Sequence, residues 1–218
     1  MKAPVIVAWL LVASLAWFAA PAANQRCPFG AMPELHGESL ADYRARREAI
    51  AAAAVSVALD PAESPVFDGP DGRARTAALM MSIARFESGY CKRVDEGLQR
   101  GPGGEVCVMQ VSLDGYRKGV GAVTAEGWSA ADLIADRQKC MRAALHKIQA
   151  SFRICSDASH PQNVTHRALL GADRLSLYTG TRCTEGSPFA RHRYELGEAW
   201  YASHPIGSAS ASTSASSP

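Results

Sequence analysis

At 218 residues the chain suits one domain with an ample core and leaves little room for a second. Charged residues make up 20% and hydrophobic ones 47%, an ordinary globular balance. A formal net charge of +2, with no basic run and no interleaving of aromatic and basic residues, argues against a nucleic-acid partner.

The chain begins with Lys2 and an uncharged apolar run from Val5 to Phe18, closed by Ala19-Ala20-Pro21-Ala22-Ala23. Ala20 and Ala22 supply the small residues of an A-x-A cleavage site, so residues 1–22 read as a signal peptide. The alternative is an uncleaved anchor, the only route to a membrane that the sequence offers. Export to a periplasmic or extracellular compartment follows. Cys27 has Gln25 and Arg26 before it, not the small residues of a lipidation site.

Residues 24–37 read as an irregular arm, and a helix follows from an N-cap at Ser39 to Leu59, stopping before Pro61. Residues 23–72 thus form an arm and a helix that pack on the rest, with a turn-rich loop from Asp60 to Gly72. The next helix, Arg73 to Ser88, ends at Gly89. At about 100° per residue, Leu79, Met80, Ile83, Ala84 and Phe86 form one apolar stripe, and Glu87 falls near its middle. An ionised carboxylate held away from water is costly. Glu87 is therefore either a carboxyl at the edge of a cleft, its pKa raised by desolvation for use as a general acid, or half of a structural ion pair with an arginine.

A glycine-rich loop follows, with Gly97, Gly101, Gly103 and Gly104; it lacks the pattern of a phosphate cradle. Val106 to Leu113 reads as extended and Gly115 to Gly127 as loop. Ser129 and Asp132 form a capping box for a helix expected to run unbroken to Phe152, with Ile134, Met141, Leu145, Ile148 and Phe152 on its core face. A further helix is expected from Val164 to Tyr178, and a last one from Ser187-Pro188 with Phe189, Leu196 and Trp200 inward. Asn163-Val164-Thr165 matches a glycosylation acceptor in form alone. Residues 207–218 are an Ala/Ser tail without the apolar side chains that folding needs. The fold class is mainly α, with weak strand signals.

The six cysteines, even in number and in an oxidising compartment, predict up to three disulfides. We expect Cys91–Cys107, closing the loop after the key helix, then Cys155–Cys183, leaving Cys27–Cys140. No Cys/His spacing suits a metal, and His160, His166, His192 and His204 read as surface residues. No cofactor is expected.

Three short pieces stand out: Phe86-Glu87-Ser88-Gly89, Cys107-Val108-Met109-Gln110 and Leu177-Tyr178-Thr179-Gly180. In this order and spacing the chain resembles the lysozyme-like superfamily, and within it the soluble lytic transglycosylase and goose-type lysozyme group. That family pattern is a helix ending in Glu-Ser, a loop leading to Gly-Leu-Met-Gln, and a later helix with Ala-Tyr-Asn-x-Gly. Cys107 and Val108 replace the Gly and Leu, and Thr179 replaces the Asn, as in a divergent member.

The resemblance implies a lysozyme-like, α+β fold with minimal β over residues 73–206, disulfide-bonded and monomeric, acting on peptidoglycan glycan strands. It implies cleavage of the β-1,4 bond between N-acetylmuramic acid and N-acetylglucosamine by Glu87 alone, acid first and base second, with a 1,6-anhydro product. Ser88 would orient the Glu87 region, while Met109, Gln110 and Tyr178 would meet the sugar or the glutamate. A hydrolytic muramidase would need a partner carboxylate, for which Asp95, Glu96, Glu105, Asp114 and Asp173 are candidates. Trp128 and Tyr116 are candidate sugar-stacking rings. A non-catalytic glycan-binding or structural envelope protein is the rival from another class.

Overall fold

In a computed structural model of the chain, the described residues are 38–113 and 123–204. The signal peptide, the arm, the Ala/Ser tail, Cys27, Asp114 and Tyr116 lie outside them. The described part is mainly helical. No helix in it is long and apolar enough to cross a membrane.

Helix α1 spans Leu40–Leu59, opened by Ser39, whose hydroxyl accepts from the Asp42 N–H. Helix α2 spans Gly72–Ser88 and closes at Gly89, left-handed at φ 59° as a C-terminal glycine permits. Both match the expected bounds closely. A short helix α3 (Lys92–Asp95) follows, and its Asp95 is held by the Arg137 guanidinium at 3.0 and 2.6 Å.

The helix expected from Ser129 to Phe152 is two. The capping box at Ser129 and Asp132 starts α4 (Ala130–Ala135), but Asp136 is extended and its carboxylate accepts from Gln138 N and Lys139 N, starting α5 (Arg137–Ser156) afresh. An aspartate that satisfies free N–H groups at a new helix start favours a break over continuation. Met141, Leu145, Ile148 and Phe152 face the core as expected, whereas Ile134, before the break, is only half-buried.

The helix expected over Val164–Tyr178 is replaced by turns, a 3₁₀ segment Gly171–Leu175 and a single turn α6 (Ser176–Thr179). Asn163 explains why. Its buried amide donates to the carbonyls of Cys155, Asp157 and Arg167, and its oxygen accepts from Thr165, so the chain wraps round this one side chain. The same burial removes Asn163 as a glycosylation acceptor. Helix α7 spans Pro188–Ser203, capped by Ser187. Its buried residues are Ala190, Arg193 and Gly197, and Phe189, expected inward, is 63% exposed.

Helix α2 lies in the middle of the packing, between α1 and α7, while α1 also packs on α5. Gly197 lets α7 approach closely: a Cβ there would stand 3.0 Å from Leu79 Cα of α2. Ser82 donates its hydroxyl to the Arg193 carbonyl, and Arg75 pairs with Glu198 at 2.9 Å. These contacts set the register of α7 on α2.

The disulfides differ in part from expectation. Cys107 is joined to Cys140, not to Cys91, and this also removes the Cys27–Cys140 pairing; Cys155–Cys183 forms as expected. Cys91 is itself disulfide-bonded. Sequence spacing favoured closing the nearest loop, whereas burial sets Cys107 against the core face of α5, with Cα atoms 6.3 Å apart across the bridge.

On the side of α5 away from Cys140, His146 joins three segments. Its Nε2 lies 2.9 Å from Glu63 Oε2 and its Nδ1 meets Glu126, while Arg142 reaches Asp60 and Glu63. Partial burial pulls the imidazole pKa down, but the hydrogen bonds to Glu126 and Glu63 outweigh it and the net shift is upward. The stability gained is therefore fully present below the ordinary value of 6.5 and lost as pH rises through the higher folded value. Thermal midpoints measured across this window should fall with rising pH in the native chain, and the slope should flatten in His146→Gln. Parallel curves for the two proteins would refute the assignment.

Candidate active site

Glu87 sits in the last turn of α2, on the wall of a groove of about 1270 Å³. Gln110 and Tyr178 line the same groove, as do Ser88 and Glu105. Three segments remote in sequence thus line one groove. The groove exceeds the roughly 300–1,000 Å³ typical of small-molecule pockets and has room for an extended ligand.

The partner foreseen in the ion-pair reading is present too. Arg193 of α7 donates from Nε to Glu87 Oε1 at 3.0 Å, and its Nη2 lies 3.0 Å from the same oxygen. Its Nη1 is tied to the Phe189 carbonyl at 2.8 Å. The side chains are 8% and 18% exposed for Arg193 and Glu87 respectively, so the cation is the deeper of the two. Burial pushes the Glu87 carboxyl up, the charge and hydrogen bond of Arg193 pull it down, and Glu105 adds a smaller push upward; the net shift is up. Both contacts fall on Oε1, and Oε2 has no hydrogen bond among the described residues. The cleft-edge carboxyl with raised pKa and the ion pair, posed as alternatives by the sequence, coexist in this geometry.

Ser88 does its work on the backbone: Oγ donates to the Ala84 carbonyl at 2.8 Å and accepts from Tyr90 N at 3.2 Å. It locks the turn that follows Glu87. Tyr90 carries that turn at φ 57°, and its hydroxyl donates to the Met81 carbonyl at 2.8 Å.

Residues 106–111 reverse direction tightly, with Val106 and Val111 exchanging backbone hydrogen bonds of 3.1 and 2.9 Å. The extended stretch expected there is reduced to this isolated bridge. Cys107 takes a left-handed φ of 57°, a conformation glycine adopts at no steric cost, and its disulfide to Cys140 fastens the strained residue. Gln110, at φ 49°, points its side chain into the groove and donates from Nε2 to the Cys107 carbonyl at 3.0 Å.

Met109 is a correction. Its side chain is fully buried in the core and does not line the groove; only its carbonyl matters here, accepting from the Tyr178 hydroxyl at 2.9 Å. Alternation of side-chain direction through the tight turn sends Met109 inward and Gln110 outward. Tyr178 thus braces the turn as well as lining the groove, and burial, then the Glu87 charge, push its phenol pKa well up. Trp128 packs against the core under Lys139 and takes no part in the groove.

Of the candidate partner carboxylates, Asp95 is bound by Arg137, Glu96 faces Lys92, and Asp173 accepts from Gly186 N. Glu105 alone among the described candidates lines the groove. Its Oε2 accepts from Gly103 N at 2.8 Å, and a Cβ on either Gly101 or Gly103 would run into its carboxylate. The glycine-rich loop is a seat for Glu105.

Residues missed by sequence reasoning are Arg193 and the groove rims Phe189 and Leu98, each 63% exposed. Arg193 had a readable signal. It interrupts the small-residue stripe Ala190, Gly197 of α7 just as Glu87 interrupts the apolar stripe of α2.

Among the described residues no group of three or more His, Cys, Asp and Glu is placed to hold a metal ion. Comparison with protein families, curated proteins and solved structures gave no match to this chain.

Proposed function

We propose that the chain is a peptidoglycan lytic transglycosylase, exported, with Glu87 as its one essential catalytic residue. The observation that carries this reading is a carboxyl with raised pKa, its Oε2 without a hydrogen bond among the described residues, on the wall of a groove that it shares with Gln110 and Tyr178. Protonated Glu87 gives its proton to the glycosidic oxygen as the bond from muramic acid C1 breaks, and the glucosaminyl unit leaves as an alcohol. The resulting carboxylate takes the proton from the muramic acid C6 hydroxyl as that oxygen bonds to C1, closing the 1,6-anhydro ring. No water is consumed, and Glu87 ends protonated for the next cycle. A pKa held between acid and base roles suits one residue doing both.

Zymography on purified cell wall tests the reading. Clearing is expected from the native chain, and mass spectrometry of the released fragments should find anhydro ends. Absence of clearing by the native chain would leave a binding or structural role.

Glu105 favours a second reading, hydrolysis, in which it takes a proton from water attacking C1. Glu105→Gln separates the two. For the transglycosylase the anhydro product persists, and the alkaline limb of activity moves to lower pH, because removing the Glu105 charge removes one upward push on Glu87. For the hydrolase, reducing ends dominate the native product and vanish in the variant.

A further inference from the structure

The groove has a cationic stretch that the chemistry above does not use. Arg93, the second residue of α3, and Arg100, in the glycine-rich loop, both line it, with Leu98 between them in sequence. Neither forms an ion pair among the described residues. Of the acidic side chains nearby, Asp95 pairs with Arg137, Glu96 with Lys92 and Glu87 with Arg193, while Glu105 accepts from the Gly103 N–H and forms no ion pair with either arginine among the described residues. Arg93 Nε also has no hydrogen-bond partner among the described residues. Two guanidinium groups with no carboxylate of their own, on the wall of one groove, suit an anionic ligand group, and the planar fork of arginine pairs best with carboxylate or phosphate.

We infer that Arg93 and Arg100 form a carboxylate-binding subsite, which makes the ligand a glycan still carrying its acidic peptide substituents and not a bare polysaccharide. The inference rests on the cell-wall reading of the groove and adds what sets its specificity. Glu87 and Tyr178 meet the sugar backbone, and the arginines meet a substituent branching from it. Leu98, 63% exposed beside them, offers an apolar contact to the same branch.

The test is co-sedimentation of the Glu87→Gln protein, which binds without cutting, with insoluble cell wall. One sample keeps its peptide stems; the other has had them removed by an amidase, which leaves any phosphate-bearing wall polymers in place, and the lactyl carboxylate that this hydrolysis exposes on each muramic acid has then been converted to its methylamide. About tenfold tighter binding to the stem-bearing wall is expected, with the preference weakening as salt rises. Arg100→Gln, on an exposed side chain, should lose part of the preference, and Arg93→Gln/Arg100→Gln all of it, while Arg100→Lys keeps an intermediate value. Circular dichroism confirms that each variant is folded. Equal binding to both walls overturns the inference, as does a preference that survives in the folded double variant. Cleavage of stripped wall by the native chain without any preference would leave the catalytic reading standing and this one fallen. A clear preference in a protein that cuts neither wall would do the reverse.

Discussion

Glu87→Gln is expected to abolish wall clearing, with the rate falling by about 10²–10⁴ in line with the loss of a positioned general acid and base. The amide keeps the shape of the side chain, and its oxygen can still accept from Arg193 Nε, as Oε1 does at 3.0 Å. The fold should therefore survive, and thermal melting beside the activity assay checks that it does. The pH profile of the native chain supplies the second half of the prediction. In the proposed reaction Glu87 starts protonated, so activity should fall on the alkaline side as pH passes its raised pKa. Full activity in folded Glu87→Gln would end the claim that this carboxyl is the acid.

Removing the cation should have the next largest effect, and on two separate measurements. Arg193→Met keeps bulk and deletes charge, leaving Glu87 buried without a counter-ion. Breaking a buried pair costs about 3–5 kcal/mol; here about 2–4 is expected, because Glu87 is 18% exposed and can protonate instead. The sign of the pH dependence follows from the upward shift. A carboxyl whose folded pKa lies above its ordinary 4.5 holds its proton longer in the folded state, so stability falls as pH rises from 4.5 through the raised value. Arg193 limits that fall in the native chain. In the variant the fall should be steeper at neutral pH and nearly absent below the ordinary value. The alkaline limb of any remaining activity should move to higher pH, since the group that pulls the Glu87 pKa down is gone. An unmoved limb with unchanged stability would mean that the pair is incidental.

The coexistence of acid and ion pair clarifies what Arg193 does. With the guanidinium fixed by Phe189 on one side and Oε1 on the other, the carboxyl cannot rotate freely. Arg193 is a positioning residue in this account. Its own placement depends on Ser82 and Gly197, which hold α7 on α2.

Much of the helical framework was legible because its signals are local. Ser39, Ser129 with Asp132, Ser187-Pro188 and Gly89 each satisfy or end a helix through bonds to residues a few positions away, and all four act as read. Two expectations failed where a side chain competed with the helix it stood in. Asp136 capped a new helix instead of continuing the old one, and Asn163 gathered three carbonyls into a knot of turns. Composition alone ranks both residues only as weak helix formers and does not show which carbonyls or N–H groups lie within reach.

The amino-acid sequence by itself determined the mainly helical class, most helix ends and the anomaly at Glu87, because periodicity and capping are written in neighbouring residues. The tertiary structure alone decided that Cys107 bonds Cys140, that Met109 turns inward while Gln110 turns outward, and that Arg193 and Glu105 are the charges Glu87 feels. Each of those depends on which surfaces meet when helices pack, a through-space relation between residues tens of positions apart. The single residue Glu87 could be singled out from one dimension; its electrostatic environment could not.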